Sequence, residues 1–291
     1  MNQKINKRIA GLFAFIVVTW GLAWPINKIG LSYLSPLWFT ALRLLIGAAA
    51  MMGLVIAIKK FSLPTRKDIP LILIIGLLQI SSYIFLTNLG LAYLPAGRSS
   101  LLAYTTPLWV MPAAILFFNE ETSWLKWTGF LLGVGGLVLL LCPWEMNWHD
   151  RDVVFGSAML LLAALCWAIS ILCIRHMHWS KSALELVPWQ LLVGALPLIV
   201  AAWIKEPAIT IHWDMPLTLS LAYTGILVTG LSYWSGIVIN KELPASVIST
   251  GFLAVPVFSL MVSSIFMHEA ITTSTIAAIA FILTGLLCIA L

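Results

Sequence analysis

Ten apolar stretches, each of about 20 residues, follow one another along the chain with short polar connections between them. They fall near 9–30, 36–58, 69–91, 96–118, 124–142, 153–175, 184–204, 216–239, 245–267 and 273–291. At the 1.5 Å rise of a helix, about 20 residues cross the roughly 30 Å of bilayer hydrocarbon, whereas a membrane strand needs about half as many with strict alternation. The pattern predicts an all-α integral membrane protein of ten transmembrane helices. The longest connections, 59–68, 143–152 and 205–215, leave no room for an aqueous domain. The first stretch exceeds a signal-peptide core and is expected to remain as the first helix.

The polar positions inside these stretches repeat. Residues 94–111 read LPAGRSSLLAYTTPLWVM, and 243–260, 149 positions later, read LPASVISTGFLAVPVFSL. Under that shift Pro95, Ala96, Pro107 and Glu120 correspond to Pro244, Ala245, Pro256 and Glu269. At a shift of 147, Trp20, Lys28, Arg43 and Gly47 correspond to Trp167, Arg175, Gln190 and Gly194, and at 146 Pro70 corresponds to Pro216. Matches that keep their order across several helices predict two units of five helices, 1–143 and 153–291. Five crossings send the second unit into the membrane from the opposite face. The units are therefore expected as inverted repeats around a central cavity.

Composition supports the membrane reading: 61% of residues are hydrophobic and 9% charged, against about 25% charged in a soluble domain. Most of the positive charge falls on one side of the predicted spans. With the N-terminus inside, Lys4, Lys7, Arg8, Lys59, Lys60, Arg66, Lys67, Lys126, Arg175, Lys181 and Lys241 are cytoplasmic, and Lys28, Arg98, Arg151 and Lys205 lie opposite. This positive-inside bias predicts both termini in the cytoplasm and the protein in the inner (plasma) membrane. The net charge of +5 is thus a topology signal, and nucleic acid is not an expected partner. Cys142, Cys166, Cys173 and Cys288 have no CxxC spacing, and His176 and His178 have no acidic or thiol neighbour in their loop. No metal, disulfide or cofactor is expected.

The ordered motifs resemble one family. Thr19-Trp20-Gly21, Ala41-Leu42-Arg43, the segment 88–97 (NLGLAYLPAG), Tyr104-Thr105-Thr106-Pro107 and Glu120 in the first unit are similar to those of EamA-type members of the drug/metabolite transporter superfamily, as are Cys166-Trp167-Ala168 and Leu243-Pro244-Ala245-Ser246 in the second. The chain looks most like amino-acid exporters of the cystine or cysteine type. The resemblance implies ten helices in two inverted halves, with the first, third and fourth helices of each half lining a central cavity and the fifth and tenth set apart. The eighth span, from Tyr233-Trp234 to Asn240, departs from the family pattern, which puts its share of the cavity in question.

Candidate residues follow from depth. Pro25, Pro107 and Pro256 remove backbone donors inside predicted spans and are candidate hinges, with passive kinking as the plainer reading. Arg43 is the basic residue well inside a span; it either caps carbonyls or contacts structure or a substrate carboxylate. Trp20, Trp24 and Asn27 share a helix face by spacing, and with Gln79, Tyr83, Tyr104, Trp167 and Tyr233 they are the candidate cavity lining, against a packing role for the aromatics. Glu120 and Glu269 read as interfacial carboxylates near helix N-termini, with Thr122 and Thr272 or Thr273 capping the helices that follow. Gly129 and Gly133 permit close helix approach, read equally as packing against the tenth helix and as a homodimer contact.

No nucleophile, metal-ligand or phosphate-loop pattern appears, so an enzyme is not expected. The leading reading is a secondary transporter exporting small metabolites, foremost amino acids or their derivatives, by alternating access. The alternatives are a membrane scaffold or assembly protein, or an exporter of polyamines or drugs. The expected partners are a small-molecule substrate and the lipid bilayer.

Overall fold

The computed structural model describes residues 7–118, 123–141, 150–174, 177, 180–206, 211–242, 254–269 and 271–290. The described residues form helices and connections, with no strand among them. In order these are α1 (Lys7–Leu31), α2 (Pro36–Ala57), α3 (Ile69–Tyr93), α4 (Ala96–Ala103), α5 (Thr106–Phe118), α6 (Trp124–Leu141), α7 (Arg151–Ile174), α8 (Ala183–Lys205), α9 (Met215–Ala222, continued by Tyr223–Ser232 and Tyr233–Glu242), α10 (Ala254–Met267) and α11 (Thr273–Ala290). Six of them, α1, α2, α3, α7, α8 and α9, are long and apolar enough to cross a membrane; α6, α10 and α11 are shorter apolar helices. Large apolar side chains such as Leu131, Leu196, Val200, Leu219 and Ile265 stand exposed on the outside. Lipid covers such a surface at no cost, and the protein is a multi-pass membrane protein.

The elements start where local chemistry lets them. Ser35 precedes α2, its hydroxyl accepting from the Trp38 N–H at 3.3 Å, and Pro36 opens the helix. Ahead of α8 the Glu185 carboxylate turns back to the Ser182 N–H at 3.1 Å. Thr272 caps α11 by accepting from the Thr275 N–H at 3.2 Å. Each device answers amide groups that a helix N-terminus leaves without partners.

The fourth predicted span differs from expectation. It is two helices, α4 and α5, meeting at Tyr104–Thr105. Pro107 is therefore not a mid-helix break. It is the second residue of α5, in the first turn, where a missing N–H costs nothing. Hydroxyls bond carbonyls at the break: Thr105 donates to Leu102 O at 2.6 Å and Thr106 to Ala103 O at 3.2 Å. Pro25, by contrast, is buried inside a continuous α1. Pro256 is the third residue of α10; the start of that predicted span, 245–253, lies outside the described residues. Pro112 in α5 and Pro188 and Pro197 in α8 are helix-interior prolines that the repeat pattern did not single out.

Two stretches are π-helical, Ile74–Ser82 in α3 and Tyr223–Ser232 in α9. Such turns are rare and widen the helix by one residue per turn. Here hydroxyls reinforce the wider spacing, with Ser82 donating to Leu77 O at 2.8 Å, Thr229 to Thr224 O at 2.7 Å and Ser232 to Leu227 O at 2.7 Å. The π-helical stretch of α3 crosses α8, and that of α9 crosses α2, each at a pair of glycines. A Cβ on Gly225 would lie 3.0 Å from Arg43 O, and one on Gly47 would lie 2.9 Å from Gly225 O. The counterpart crossing is closer: a Cβ on Gly76 would lie 2.7 Å from Gln190 O, and one on Gly194 would lie 2.6 Å from Gly76 O. Arg43, Gly47 and Gly76 thus meet the same kind of neighbour as Gln190, Gly194 and Gly225.

These crossings sit in the main core, where Phe39, Leu44, Met51, Leu71, Ile75, Leu186, Leu191 and Leu217 pack from α2, α3, α8 and α9. A second core joins Trp24, Leu91, Leu101, Leu102, Leu160 and Ile282 from α1, α3, α4, α7 and α11. Helix α6 packs on α11 through its glycine face, where a Cβ on Gly285 would lie 2.5 Å from Gly129 O and one on Gly136 2.7 Å from an Ile282 side-chain carbon. The glycine face of the fifth span is met within the chain.

The crossings leave no room for a methyl group. Gly194→Ala or Gly225→Ala should destabilise the protein by about 1–3 kcal/mol. Gly53→Ala, with nothing within 4 Å of the added carbon, should be neutral or stabilising by up to ~1 kcal/mol. Thermal midpoints in detergent separate the two outcomes; equal behaviour of all three would contradict the close crossings.

Candidate functional site

The inner faces of α1, α2, α3 and α9 converge on Arg43. A guanidinium at this depth must find oxygen acceptors, because no water reaches hydrocarbon to solvate it. It is 5% exposed. Its Nε donates to Thr229 Oγ1 at 2.7 Å and its Nη1 to Asn27 Oδ1 at 3.2 Å. Both acceptors are neutral side chains, not the backbone carbonyls of the capping alternative. Arg43 thus ties α2 to α9 and α1. Its remaining N–H donors make no hydrogen bond to the described residues. Tyr83 and Tyr223 are the ionisable groups within closest electrostatic reach of it.

Thr229 is set for this bond by the π-helical turn. Its hydroxyl proton goes to Thr224 O, so its lone pairs face the guanidinium. Two further bonds join α9 to α1. Tyr223 donates to Thr19 O at 3.0 Å, and the hydroxyls of Thr19 and Ser232 share a bond of 2.7 Å.

Beyond Arg43 the wall is aromatic. Tyr83 of α3 lies against Trp167 of α7 with ring centroids 4.6 Å apart and planes tilted by 58°. Tyr104, at the break between α4 and α5, is within electrostatic reach of Tyr83. One turn before Tyr83 on α3, Gln79 accepts from the Tyr233 hydroxyl at 3.0 Å. The eighth span therefore does reach this region, through Thr229 and Tyr233. Tyr83, Tyr104, Trp167 and Tyr233 are each partly buried.

The structure brings together Asn27, Arg43, Gln79, Tyr83, Tyr104, Trp167 and Tyr233 by these links. Of the two tryptophans of α1, Trp24 shares a core with Tyr104. Trp24 is packed into the second core, and Trp20 packs with Leu12 and Phe13 around Ile16 and Ile239. Helical spacing put Trp20, Trp24 and Asn27 on one face; a wide face meets different neighbours at different heights.

Other participants carried little sequence signal. Tyr223 opens a π-helical turn that hydrophobic periodicity does not disclose. Asn88 donates to Thr40 Oγ1 at 2.9 Å and is wholly buried. Gln190, the counterpart of Arg43, is wholly buried, with neither atom of its amide hydrogen-bonded among the described residues. Among the described residues there is also no group of three His, Cys, Asp or Glu that could hold a metal ion.

The sequence matches the EamA-like transporter family over residues 8–142 and again over residues 154–291. The chain belongs to the EamA-like transporter family. Relatives in the family carry transporter names. The uncharacterized transporter YvbV of Bacillus subtilis is 28% identical over 98% of this chain and 92% of its own length. A probable amino-acid metabolite efflux pump of Salmonella typhimurium is 26% identical over 97% of this chain and 94% of its own. A probable terminal-alkyne amino-acid exporter of Streptantibioticus cattleyicolor is 24% identical over 92% of this chain and 88% of its own. A solved crystal structure shares the fold at a TM-score of 0.67 and 20% identity, covering 94% of this chain and 97% of that one.

The Arg43 bonds make a specific demand on Thr229. Thr229→Val keeps the shape and removes the acceptor, leaving a buried charged donor unpaired at a cost of about 1.5–3 kcal/mol. Its thermal midpoint in detergent should fall, and Thr229→Ser should restore it. A valine variant as stable as the parent would contradict the bond.

Proposed function

We propose that this EamA-family transporter exports small metabolites, foremost amino acids or their derivatives, across the inner membrane by alternating access of a central cavity. The observation that carries the reading is Arg43 with unspent donors, within electrostatic reach of Tyr83, whose ring packs on Trp167. A guanidinium held by two neutral acceptors keeps its full charge, and a substrate carboxylate is the natural occupant of its free N–H groups. The aromatic rings suit the rest of a small amphipathic solute, including an ammonium group laid over a ring face. The names of two relatives, a probable amino-acid metabolite efflux pump and a probable terminal-alkyne amino-acid exporter, agree with this class.

Alternating access rests on the two-unit frame. Matching glycine crossings, a duplicated sequence and two consecutive family matches support a pair of five-helix repeats, 1–143 and 153–291, entering the membrane with opposite sense. Rocking such halves about their crossings exposes the Arg43 region to one side at a time. The positive-inside bias supports cytoplasmic termini. Asn27 and Gln79 serve as orienting groups in this reading, and Pro25 and Pro256 as places where the backbone bends at low cost.

Purified protein in proteoliposomes, loaded with a panel of amino acids and polyamines with and without a proton gradient, tests the function. Carboxylate-bearing amphipathic solutes should move, and Arg43→Gln should slow them by roughly tenfold or more, the worth of one charge-assisted hydrogen bond. Polyamine movement alone would overturn the substrate class, and no movement of any solute by folded protein would favour a scaffold.

A further inference from the structure

Glu269 follows the second unit's α10, yet it serves the first unit. Its Oε1 accepts from the Ala96 N–H at 2.6 Å and its Oε2 from the Gly97 N–H at 2.9 Å. Those amides open α4, whose capping position is Pro95, a residue with no side-chain acceptor. The positive end of α4 is therefore answered from 172 residues away. Sequence reading placed Glu269 near a helix N-terminus, but at the helix that follows it; the helix is α4.

The rest of the corner fits one purpose. Lys28 Nζ donates to Leu91 O at 2.6 Å, Ala92 O at 3.0 Å and Leu94 O at 2.9 Å, spending its three donors on the C-terminal carbonyls of α3. The turn between α3 and α4 is thus held by a cation on its carbonyl side and an anion on its amide side. Gly97 lets the seam close: a Cβ there would meet Leu260 Cδ1 at 2.5 Å and Glu269 Oε2 at 3.0 Å. His268, with φ of 54°, turns the chain so that Glu269 faces back to α4. Helix α4 is only eight residues long and ends at the break beside Tyr104. It is a lever of about 12 Å between this corner and the aromatic wall.

We propose that Glu269 is the latch of one end of the cavity. With its carboxylate on Ala96 and Gly97 that end is shut, and transport requires the two bonds to part and re-form in each cycle as α4 swings from α10. This rests on the transporter reading. A carboxylate on two amides suits a latch, because it is directional and loses its hold once the geometry opens, whereas a packed apolar seam resists parting throughout. The parts recur in the sequence as Arg175, Pro244, Ala245 and Glu120, which lie outside the described residues.

Side-specific labelling tests the latch. Ser100 is wholly buried one turn into α4, and Ser100→Cys reports opening. Vesicles of defined orientation are treated with a membrane-impermeant maleimide from either face, and mass spectrometry counts label at position 100. Glu269→Gln, which cannot accept from both amides, should raise labelling from one face by roughly tenfold, the worth of one charge-assisted bond, and lower it from the other. Gly97→Ala, which pushes the seam apart with the carboxylate intact, should do the same and serves if the glutamine variant does not fold. An equal rise from both faces means general loosening and overturns the proposal, as does no change. Solute counterflow by the parent in the same vesicles keeps the two claims apart: a sided labelling shift without transport means that the Glu269 seam closes one face of a protein that carries no tested solute, which overturns its part in transport and the cavity reading together.

Discussion

One charge at membrane depth sets the terms for the rest of the bundle. A guanidinium inside the bilayer costs a few kcal/mol unless oxygen surrounds it. Arg43 meets that constraint with the short side chains of Thr229 and Asn27, on two different helices. A threonine hydroxyl has little reach, so α9 must approach α2 to van der Waals contact. Gly47 and Gly225 permit that approach, and the π-helical turn rotates Thr229 into line. Charge, glycine crossing and widened helix are one device.

The same frame is built twice, and its chemistry is not. Gln190 is the repeat-mate of Arg43 and lies beside the equivalent pair of glycines, Gly76 and Gly194. It brings an amide in place of a charge, and that amide makes no hydrogen bond among the described residues. In the proposed transport cycle, equivalent crossings would suit two equivalent states, and unequal side chains would suit a solute with one carboxylate. At the end of the bundle Glu269 caps α4, the short helix that ends at Tyr104.

Much of this was legible in the chain. Apolar runs of membrane length and charge bias are local properties, and the span limits agree with the helices to within a few residues wherever the residues are described. The glycine pairs were visible as repeat-mates, Gly47 with Gly194, though their contacts were not. Three things escaped for physical reasons. A π-helical turn changes the period by less than one residue, which apolar side chains on every face conceal. The break in the fourth span follows hydroxyl-to-carbonyl bonds at Tyr104–Thr105, while Pro107 merely starts the next helix, so the most visible residue was not the operative one. Trp20 and Trp24 share a face by spacing, but what each meets depends on helices far away in sequence.

The central claim is that Arg43 receives the carboxylate of an amphipathic solute. Counterflow of an amino acid that the protein moves, compared with counterflow of its carboxamide, tests it most directly, since the two differ only in the group that Arg43 would hold. The account predicts that the amide is carried at least roughly tenfold more slowly by the parent and that Arg43→Gln abolishes the difference between the two. Equal rates for acid and amide in the parent would contradict it.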